Sequence, residues 1–417
     1  MGAKTEFANS MIYNIMEPEA AFDFMKKDFP IRTLTDVLCE AVQKKHLNEN
    51  PAKITPKETR ELLRKALTNI GLPEENIKKI DYWLPLNQSE RENQVKSISK
   101  DSAMQIAFAL KMTLDEAELF LGRCWLDALY LRDVRDVIYR CGLKYGFSYH
   151  IVKNMLDEFS KLKRPELYQY STDAKLDKKF GKKFSVDSIT KVLSKKLGEC
   201  NITCPKDVVV FINEHSNFFG LYHQRTYEKF IKLYNQIKGD EWHQSPDMEI
   251  GHLSHVDMFD LLTLGLKANK DPAVGLKEVV SFHIKKNIPT RTELSSIRNK
   301  TPKKVTKVIP EVSRNILILT WLISEDGWAD IFTGKPYISP EIALQNHVQA
   351  LQNSILFEYG FPPIDPRHPF DWVIMNSLYV AHSLRKGNDN PDAKERLNNF
   401  TLNLQTLFEY MYPEGDG

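Results

Sequence analysis

Basic residues are concentrated between positions 285 and 307, where eight lysines and arginines stand against a single acidic residue, Glu293. This charge balance is what a phosphate backbone attracts. If residues 301–308 form a helix, Lys303 and Lys304 lie about 100° apart on it, so one reaches a base edge while the other reaches phosphate. We therefore predict a nucleic-acid-binding set whose members all carry fixed positive charge: Arg291, Arg298, Lys300, Lys303, Lys304 and Lys307.

A second basic stretch runs from Lys175 to Lys196, with eight lysines and two aspartates. Its lysines face away from an apolar stripe that includes Val192 and Leu193. Such a face usually serves solubility, and the alternative is a second nucleic-acid surface. The sequence leaves both interpretations open.

Metal chemistry is conceivable around His243, His252 and His255, with Asp257 nearby. A His-x-x-His spacing presents two imidazoles from one helical turn. No glutamate lies between the histidines to act as a base, and the Cys200–Cys204 spacing lacks a second cysteine pair. We expect these histidines to be structural or exposed, and we predict no metal and no cofactor.

Enzymatic motifs are absent from the sequence. It contains no Gly-x-Ser-x-Gly, no dinucleotide-binding glycine triplet, and no kinase or paired-carboxylate signature. Two Arg-x-x-x-Asp pairs, which join Arg132 to Asp136 and Arg367 to Asp371, are expected to form ion pairs within a helix and not to act in catalysis. We expect no enzymatic activity, with an undetected nuclease or toxin as the open alternative.

Composition indicates a soluble globular protein with two or three domains, since 417 residues include 42% hydrophobic ones. The net charge of +2 excludes nucleic-acid binding by bulk charge, so any affinity must come from local patches. Five cysteines, an odd number, fit a reducing cytoplasm. No segment approaches the ~20 uninterrupted apolar residues of a membrane span, and the apolar run at 316–323 is expected to be a buried helix.

Apolar spacing predicts an all-α fold, with helix starts marked by capping boxes such as Thr55–Glu58 and Thr113–Glu116. The chain also repeats itself. Arg132 and Arg367 lie 235 positions apart (367 minus 132), as do the aspartates four residues after each. Apolar character is kept at the same offset in further pairs: Leu121/Leu356, Leu126/Phe361, Leu129/Ile364, Ile138/Val373 and Leu143/Leu378.

These patterns divide the chain into a helical middle region flanked by two related multi-helix modules. The predicted segments are an N-terminal helical arm (1–33), a first module (34–160), a lysine-rich middle domain (161–271), a second module (272–387) and a C-terminal helix and tail (388–417). The apolar stripe of the last helix either docks on the second module or offers a face to a partner, and docking is the stronger expectation because an exposed stripe invites aggregation.

Residues 290–323, TRTELSSIRNKTPKKVTKVIPEVSRNILILTWLI, resemble the lambda-repressor-like (XRE) helix-turn-helix family. Residues 97–124 resemble that family's fourth and fifth helices, and with the following segment they also resemble extended regulator-like proteins of Gram-positive gut bacteria. The resemblance implies that the short helix at 301–308 enters a major groove. It departs from the family in the first module, where Glu74, Glu75 and Asp81 accompany the lysines of the corresponding helix.

Two classes of function follow. The first is a DNA-binding regulatory protein whose partner is double-stranded DNA. The second is a protein-interaction scaffold of degenerate helix-turn-helix modules, such as one in phage defence, whose partner is another protein or a second copy of the chain. We favour DNA binding because the positive charge falls on the segment with which the fold would contact DNA.

Overall fold

The structure is a computed structural model. It describes residues 3–46, 54–87, 90, 96–131, 133–160, 186–216, 219, 222–239, 262–263, 271–299, 312–328, 338–383 and 393–413. Throughout this part of the chain the regular secondary structure is helical and no strand occurs, so the predicted all-α class is confirmed. Within the same residues, no helix combines the length and the apolar character that a bilayer crossing requires.

The helices that precede the second basic stretch are, in chain order, α1 (Ala3–Asn14), α2 (Pro18–Lys27), α3 (Leu34–His46), α4 (Pro56–Asn69), α5 (Glu74–Ile77), α6 (Lys79–Trp83), α7 (Lys100–Ala109), α8 (Leu114–Arg123), α9 (Val134–Lys144) and α10 (Tyr149–Ser160). Those that follow are α11 (Val186–Glu199), α12 (Pro205–Glu214), α13 (Tyr222–Gly239), α14 (Glu278–Asn287), α15 (Arg291–Asn299), α16 (Arg314–Ile323), α17 (Pro340–Leu351), α18 (Pro369–Ser383) and α19 (Ala393–Met411). A 3₁₀ turn (Glu325–Gly327) follows α16, and a π-helical turn (Gln352–Phe357) continues α17.

Capping side chains fix where several helices begin. Thr55 and Thr113 each accept the backbone N–H of a glutamate three residues on, and the glutamate binds back, so both predicted capping boxes are confirmed. The helix that contains Asp136 begins at Val134. Asp133 caps it by accepting backbone N–H groups of Arg135 and Asp136.

Two clusters of buried apolar side chains organise the fold. The first core draws its members from residues 34–219. The second core combines residues 8–29 with residues 230–412. We call the elements of these clusters the first half and the second half. The N-terminal helices α1 and α2 therefore pack on the far end of the chain, through contacts of α1 with α18 and of α2 with α19. That each half is a helix-turn-helix module stays a prediction.

The apolar run at 316–323 forms most of α16, and every residue of it is buried, as predicted. The last helix, α19, docks on the second half and buries the expected stripe: Leu397, Phe400, Leu404, Leu407, Phe408 and Met411. Burying each such side chain contributes about 1.5–3 kcal/mol relative to leaving it in water. The apolar stripe of α19 is therefore covered by this chain itself, as expected.

The halves are tied together where the chain passes from α2 to α3. The backbone N–H of Arg32 donates to the carbonyl oxygen of Arg367 at 3.1 Å, and its guanidinium binds Asp365 at 2.7 Å. In return, Arg367 donates to the carbonyl oxygens of Pro30 and Ile31 and to the Asp36 carboxylate. Both arginines are almost fully buried. Buried charges need such paired partners, so this segment is held firmly.

Candidate functional site

The predicted nucleic-acid surface is described only at its beginning. Arg291 is exposed at the first position of α15, and the backbone of Arg298 lies in the same helix. The Arg298 side chain, together with Lys300, Lys303, Lys304 and Lys307, lies outside the described residues. The histidines considered as metal ligands, at positions 243, 252 and 255, also lie outside them.

The single acid of this basic stretch is engaged at a helix start. Thr290 accepts the backbone N–H of Glu293 at 3.1 Å, and the Glu293 carboxylate accepts the backbone N–H of Thr290 at 3.5 Å. Its charge therefore sits at the positive end of α15, where it is stabilised by the helix dipole. Lys285 and Lys286, in the last turn of α14, are exposed close by. The described part of the stretch presents basic side chains to solvent.

The corresponding surface of the first half has a different charge pattern. Thr55 and Glu58, which open α4, lie 235 positions before Thr290 and Glu293. Downstream of this start, Arg60 and Arg64 of α4 both bind Asp81 of α6, at 3.2 and 2.5 Å. The Asp81 carboxylate therefore neutralises part of the positive charge on this surface.

A buried carboxylate marks the start of α18 in the second half. Both oxygens of Asp371 accept hydrogen bonds from the Arg314 guanidinium, at 2.8 and 2.9 Å, and one also accepts the backbone N–H of Asp365 at 2.9 Å. Arg314 further donates to the carbonyl oxygens of Pro362 and Pro363. The expected ion pair between Arg367 and Asp371 is wrong, because each binds a partner remote in the sequence.

The first half builds the same arrangement around Asp136 with a lysine. Lys100 donates to Asp136 at 2.6 Å and to the carbonyl oxygen of Ala128 at 3.0 Å, while the backbone N–H of Tyr130 donates to Asp136 at 2.9 Å. Asp136 therefore pairs with Lys100; Arg132 is not among the described residues. The members that match at the offset of 235 are Ala128 and Pro363, Tyr130 and Asp365, and Asp136 and Asp371. Lys100 and Arg314 are each the first residue of a helix, and each follows a serine.

The two carboxylates differ in acidity. Burial raises the pKa of Asp136 to about 6, against a smaller lowering effect of Lys100. Burial would also raise the pKa of Asp371, but Arg314 and then His368 lower it further, so that its pKa lies below the ordinary aspartate value. The guanidinium fork serves both oxygens of Asp371, whereas an ammonium is a point charge bound to one oxygen.

The turn before these carboxylates is also matched. Trp125 and Gly360 lie 235 positions apart, and both have left-handed backbone conformations, with φ of 61° and 74°. The next residue in each half closes the turn with the same backbone hydrogen bond: Leu126 to Leu121 at 3.0 Å and Phe361 to Leu356 at 2.7 Å. The two turns also meet, since the Ala128 backbone N–H donates to the carbonyl oxygen of Gly360 at 3.1 Å.

A cleft of about 620 Å³ opens where these turns meet, and we call it the junction cleft. Its walls are the turn after α8, the C-terminal part of α14, the start of α16 and the turn that contains Pro362. Side chains of both halves face it, among them Trp125, Arg123, His283, Lys286 and His368. Sequence reasoning placed none of these in a site. The offset of 235, which aligns Trp125 with a glycine, was the signal that could have singled out the tryptophan.

Charge and hydrogen bonding differ among the groups that face the cleft. Burial, then the nearby His368 and Lys286, lowers the pKa of His283 to about 3, so its ring is neutral at pH 7. The Trp125 ring lies 4.3 Å from that of His368 and 5.9 Å from that of His283, centroid to centroid. The neutral His283 imidazole and the Trp125 indole give a polar but uncharged surface beside the basic side chains.

Comparison with known protein families, with curated proteins and with solved structures found no match to this chain. All five cysteines lie within the described part of the chain, and none of them forms a disulfide. In that same part, no group of three or more His, Cys, Asp or Glu side chains is placed to hold a metal ion.

Proposed function

We propose that this chain is a non-enzymatic, cytoplasmic DNA-binding regulatory protein, derived from two helix-turn-helix-like modules, in which the second module contacts double-stranded DNA. The observation that carries the proposal is the charge of residues 285–307, where Glu293 is engaged with Thr290 while Lys285, Lys286 and Arg291 are exposed. A phosphate backbone would meet cations along this face.

The matched contacts of the two halves support an origin in one repeated module. The capping boxes of α4 and α15, the left-handed turns and the buried carboxylates recur at one offset of 235 positions. On this view the halves share a framework, and the second keeps the basic surface.

Salt-dependent DNA binding tests the proposal. We expect wild-type protein to bind duplex DNA at low salt. The triple variant Lys303→Ala, Lys304→Ala and Lys307→Ala should bind more weakly and lower the steepness of log K against log salt by about 2 to 3, since each phosphate contact contributes about 0.9. The measurement is a fluorescence anisotropy titration at several salt concentrations.

The matched control lies on the corresponding helices of the first half. Lys78 and Lys79 are exposed there, beside acidic residues, and the double variant Lys78→Ala and Lys79→Ala should bind DNA as the wild type does. Absence of DNA binding by the wild type at low salt, or an equal loss in both variants, would overturn the assignment of DNA to the second module.

One observation favours a second candidate, the protein-interaction scaffold. In the first half, Asp81 binds Arg60 and Arg64, so the surface that would face a groove is internally neutralised. A surface of this kind suits a protein partner or self-association better than DNA. Size-exclusion chromatography with light scattering, together with the failure of the DNA titration, would favour the scaffold.

A further inference from the structure

The junction cleft has the size of a small-molecule site. Ligand pockets commonly enclose about 300–1,000 Å³, and this one encloses about 620 Å³. It draws its walls from both halves and includes the start of α16, where Ser313 makes no capping hydrogen bond through its side chain. Sites of this kind are common where two packed units meet.

The charged groups that line the cleft leave an excess of positive charge, with four basic residues (Lys96, Arg123, Lys286, Arg314) against two acidic ones (Asp127, Asp371). Arg314 and Asp371 neutralise each other through a pair of hydrogen bonds between the guanidinium and the two carboxylate oxygens. Arg123 forms an ion pair with Glu40 at 3.3 Å, and its side chain remains partly exposed. Among the described residues, Lys286 makes no ion pair, and its ammonium lies 5.9 Å from the centre of the Phe282 ring. An anion that enters the cleft would gain a charge partner without breaking an existing ion pair of Lys286.

Trp125 has a strained backbone conformation, which costs free energy. Its φ of 61° lies in the left-handed region, which bulky side chains rarely adopt, and the matched position in the second half is Gly360. Such a conformation costs on the order of 1 kcal/mol for a residue other than glycine. Strained positions of this kind cluster at ligand sites. The indole that this backbone presents is partly exposed in the cleft and packs on the His368 ring at 4.3 Å.

From these observations we propose that the junction cleft binds a small planar anion, a flat ring that carries a phosphate or carboxylate group. The ring would stack on Trp125, and the anionic group would be bound by Lys286 and Arg123. The neutral His283 ring would offer a hydrogen bond at the side of the ring. This proposal goes beyond DNA binding. It shares Lys286 with the exposed basic face described above, but it involves none of the six residues assigned to the DNA surface, and its probes contain no DNA.

The repeat suggests a substitution that removes the indole ring of Trp125 on which the ligand would stack. Trp125→Gly places in the first half the residue that the second half has at the matched position, so the backbone conformation is retained and its strain is relieved. Lys286→Gln removes the cation. Lys285→Gln is its matched control, since Lys285 is the exposed neighbour and lies outside the cleft, over the Tyr412 ring.

Isothermal titration calorimetry of the full chain, at low salt and pH 7, would use adenosine monophosphate, benzoate and uncharged adenosine as probes. We expect adenosine monophosphate or benzoate to bind with a dissociation constant below about 1 mM and adenosine to bind at least about ten times more weakly, as a lost charge-assisted contact worth about 1.4 kcal/mol gives. Circular dichroism would establish that each variant is folded.

The outcomes separate clearly. Preference for adenosine monophosphate identifies phosphate as the anionic group, and preference for benzoate identifies carboxylate; either supports the proposal if Trp125→Gly and Lys286→Gln each weaken binding about tenfold while Lys285→Gln does not. Lack of binding by both anions at millimolar concentration overturns the proposal. So does equal binding of adenosine, or equal binding by Lys286→Gln and Lys285→Gln.

Discussion

The two matched aspartates should respond in opposite ways to the same substitution. Asp136 and Asp371 are both nearly fully buried, and each accepts the same backbone N–H bond, but one faces an ammonium and the other a guanidinium. We expect Asp136→Asn to raise the free energy of unfolding at pH 7 by up to about 3 kcal/mol, and Asp371→Asn to lower it by about 3–5 kcal/mol.

The magnitudes follow from the local environments. Asp136 has a pKa of about 6 in the folded chain against 3.8 ordinarily, so at about 1.4 kcal/mol per pKa unit its charge costs about 3 kcal/mol at pH 7. That pKa already includes the attraction of Lys100 and the hydrogen bond of the Tyr130 N–H, so an uncharged asparagine, which accepts the same hydrogen bonds, removes the cost and should stabilise the fold by up to about 3 kcal/mol. In Asp371→Asn the Arg314 guanidinium, whose side chain is 13% exposed, is left buried without a counter-charge.

Differential scanning calorimetry at pH 7 measures both variants. For a cooperative unit of 150–250 residues, Asp371→Asn should lower the melting temperature of the transition of the second half by roughly 6–20 °C. Arg314→Lys should cost about 1–3 kcal/mol, because a lysine cannot serve both oxygens. Equal losses in the two asparagine variants, or a larger loss at Asp136, would refute the reasoning.

Three further outcomes follow from buried groups. His347 and His382 are neutral in the folded chain because burial lowers their pKa values, that of His347 to about 3. In the unfolded chain both rings bind protons below about pH 6.5. The stabilisation is therefore fully present above about pH 6.5, and the free energy of unfolding falls on acidification by up to about 1.4 kcal/mol per pH unit for each ring. Urea unfolding between pH 7 and 5 should show a weaker pH dependence in His347→Gln. Gly142→Ala should cost about 1–3 kcal/mol by urea unfolding, since the added methyl would lie 2.5 Å from a methyl of Val152. Trp372→Phe should cost about 1–3 kcal/mol in the same assay, because it leaves the carbonyl of Ala8 without its indole donor; a change below about 0.5 kcal/mol would contradict this.

Local patterns in the sequence were enough to predict much of the fold. Apolar spacing predicted the helical class and the buried α16, and the capping boxes at Thr55 and Thr113 placed two helix starts to the residue. These features are determined by neighbours within about four positions along the chain. The offset of 235 between Asp136 and Asp371 could also be read directly, because it needs no knowledge of what the aspartates contact.

Contacts between remote segments could not be predicted in this way. Asp371 finds Arg314 at a separation of 57 positions, and Arg367 finds Asp36 at 331, so an expectation based on Arg-x-x-x-Asp spacing chose the wrong partners. The junction cleft combines turns of both halves, and no single stretch of sequence announces it. The strain at Trp125 is likewise a property of backbone geometry, indicated in sequence only by the glycine that stands 235 positions later.

The docking of the first helices on the last ones sets an order for biosynthesis. Trp372 donates to the carbonyl oxygen of Ala8, and Asn376 to that of Ile15, across separations of 364 and 361 positions. A ribosome that makes about 5–20 residues per second therefore synthesises α1 and α2 long before the helices on which they pack. All residues of the core at 34–219 are also made before those helices. During that interval of roughly 20–70 s the apolar faces of α1 and α2 lack their native cover, and this is the period in which the nascent chain most needs a chaperone.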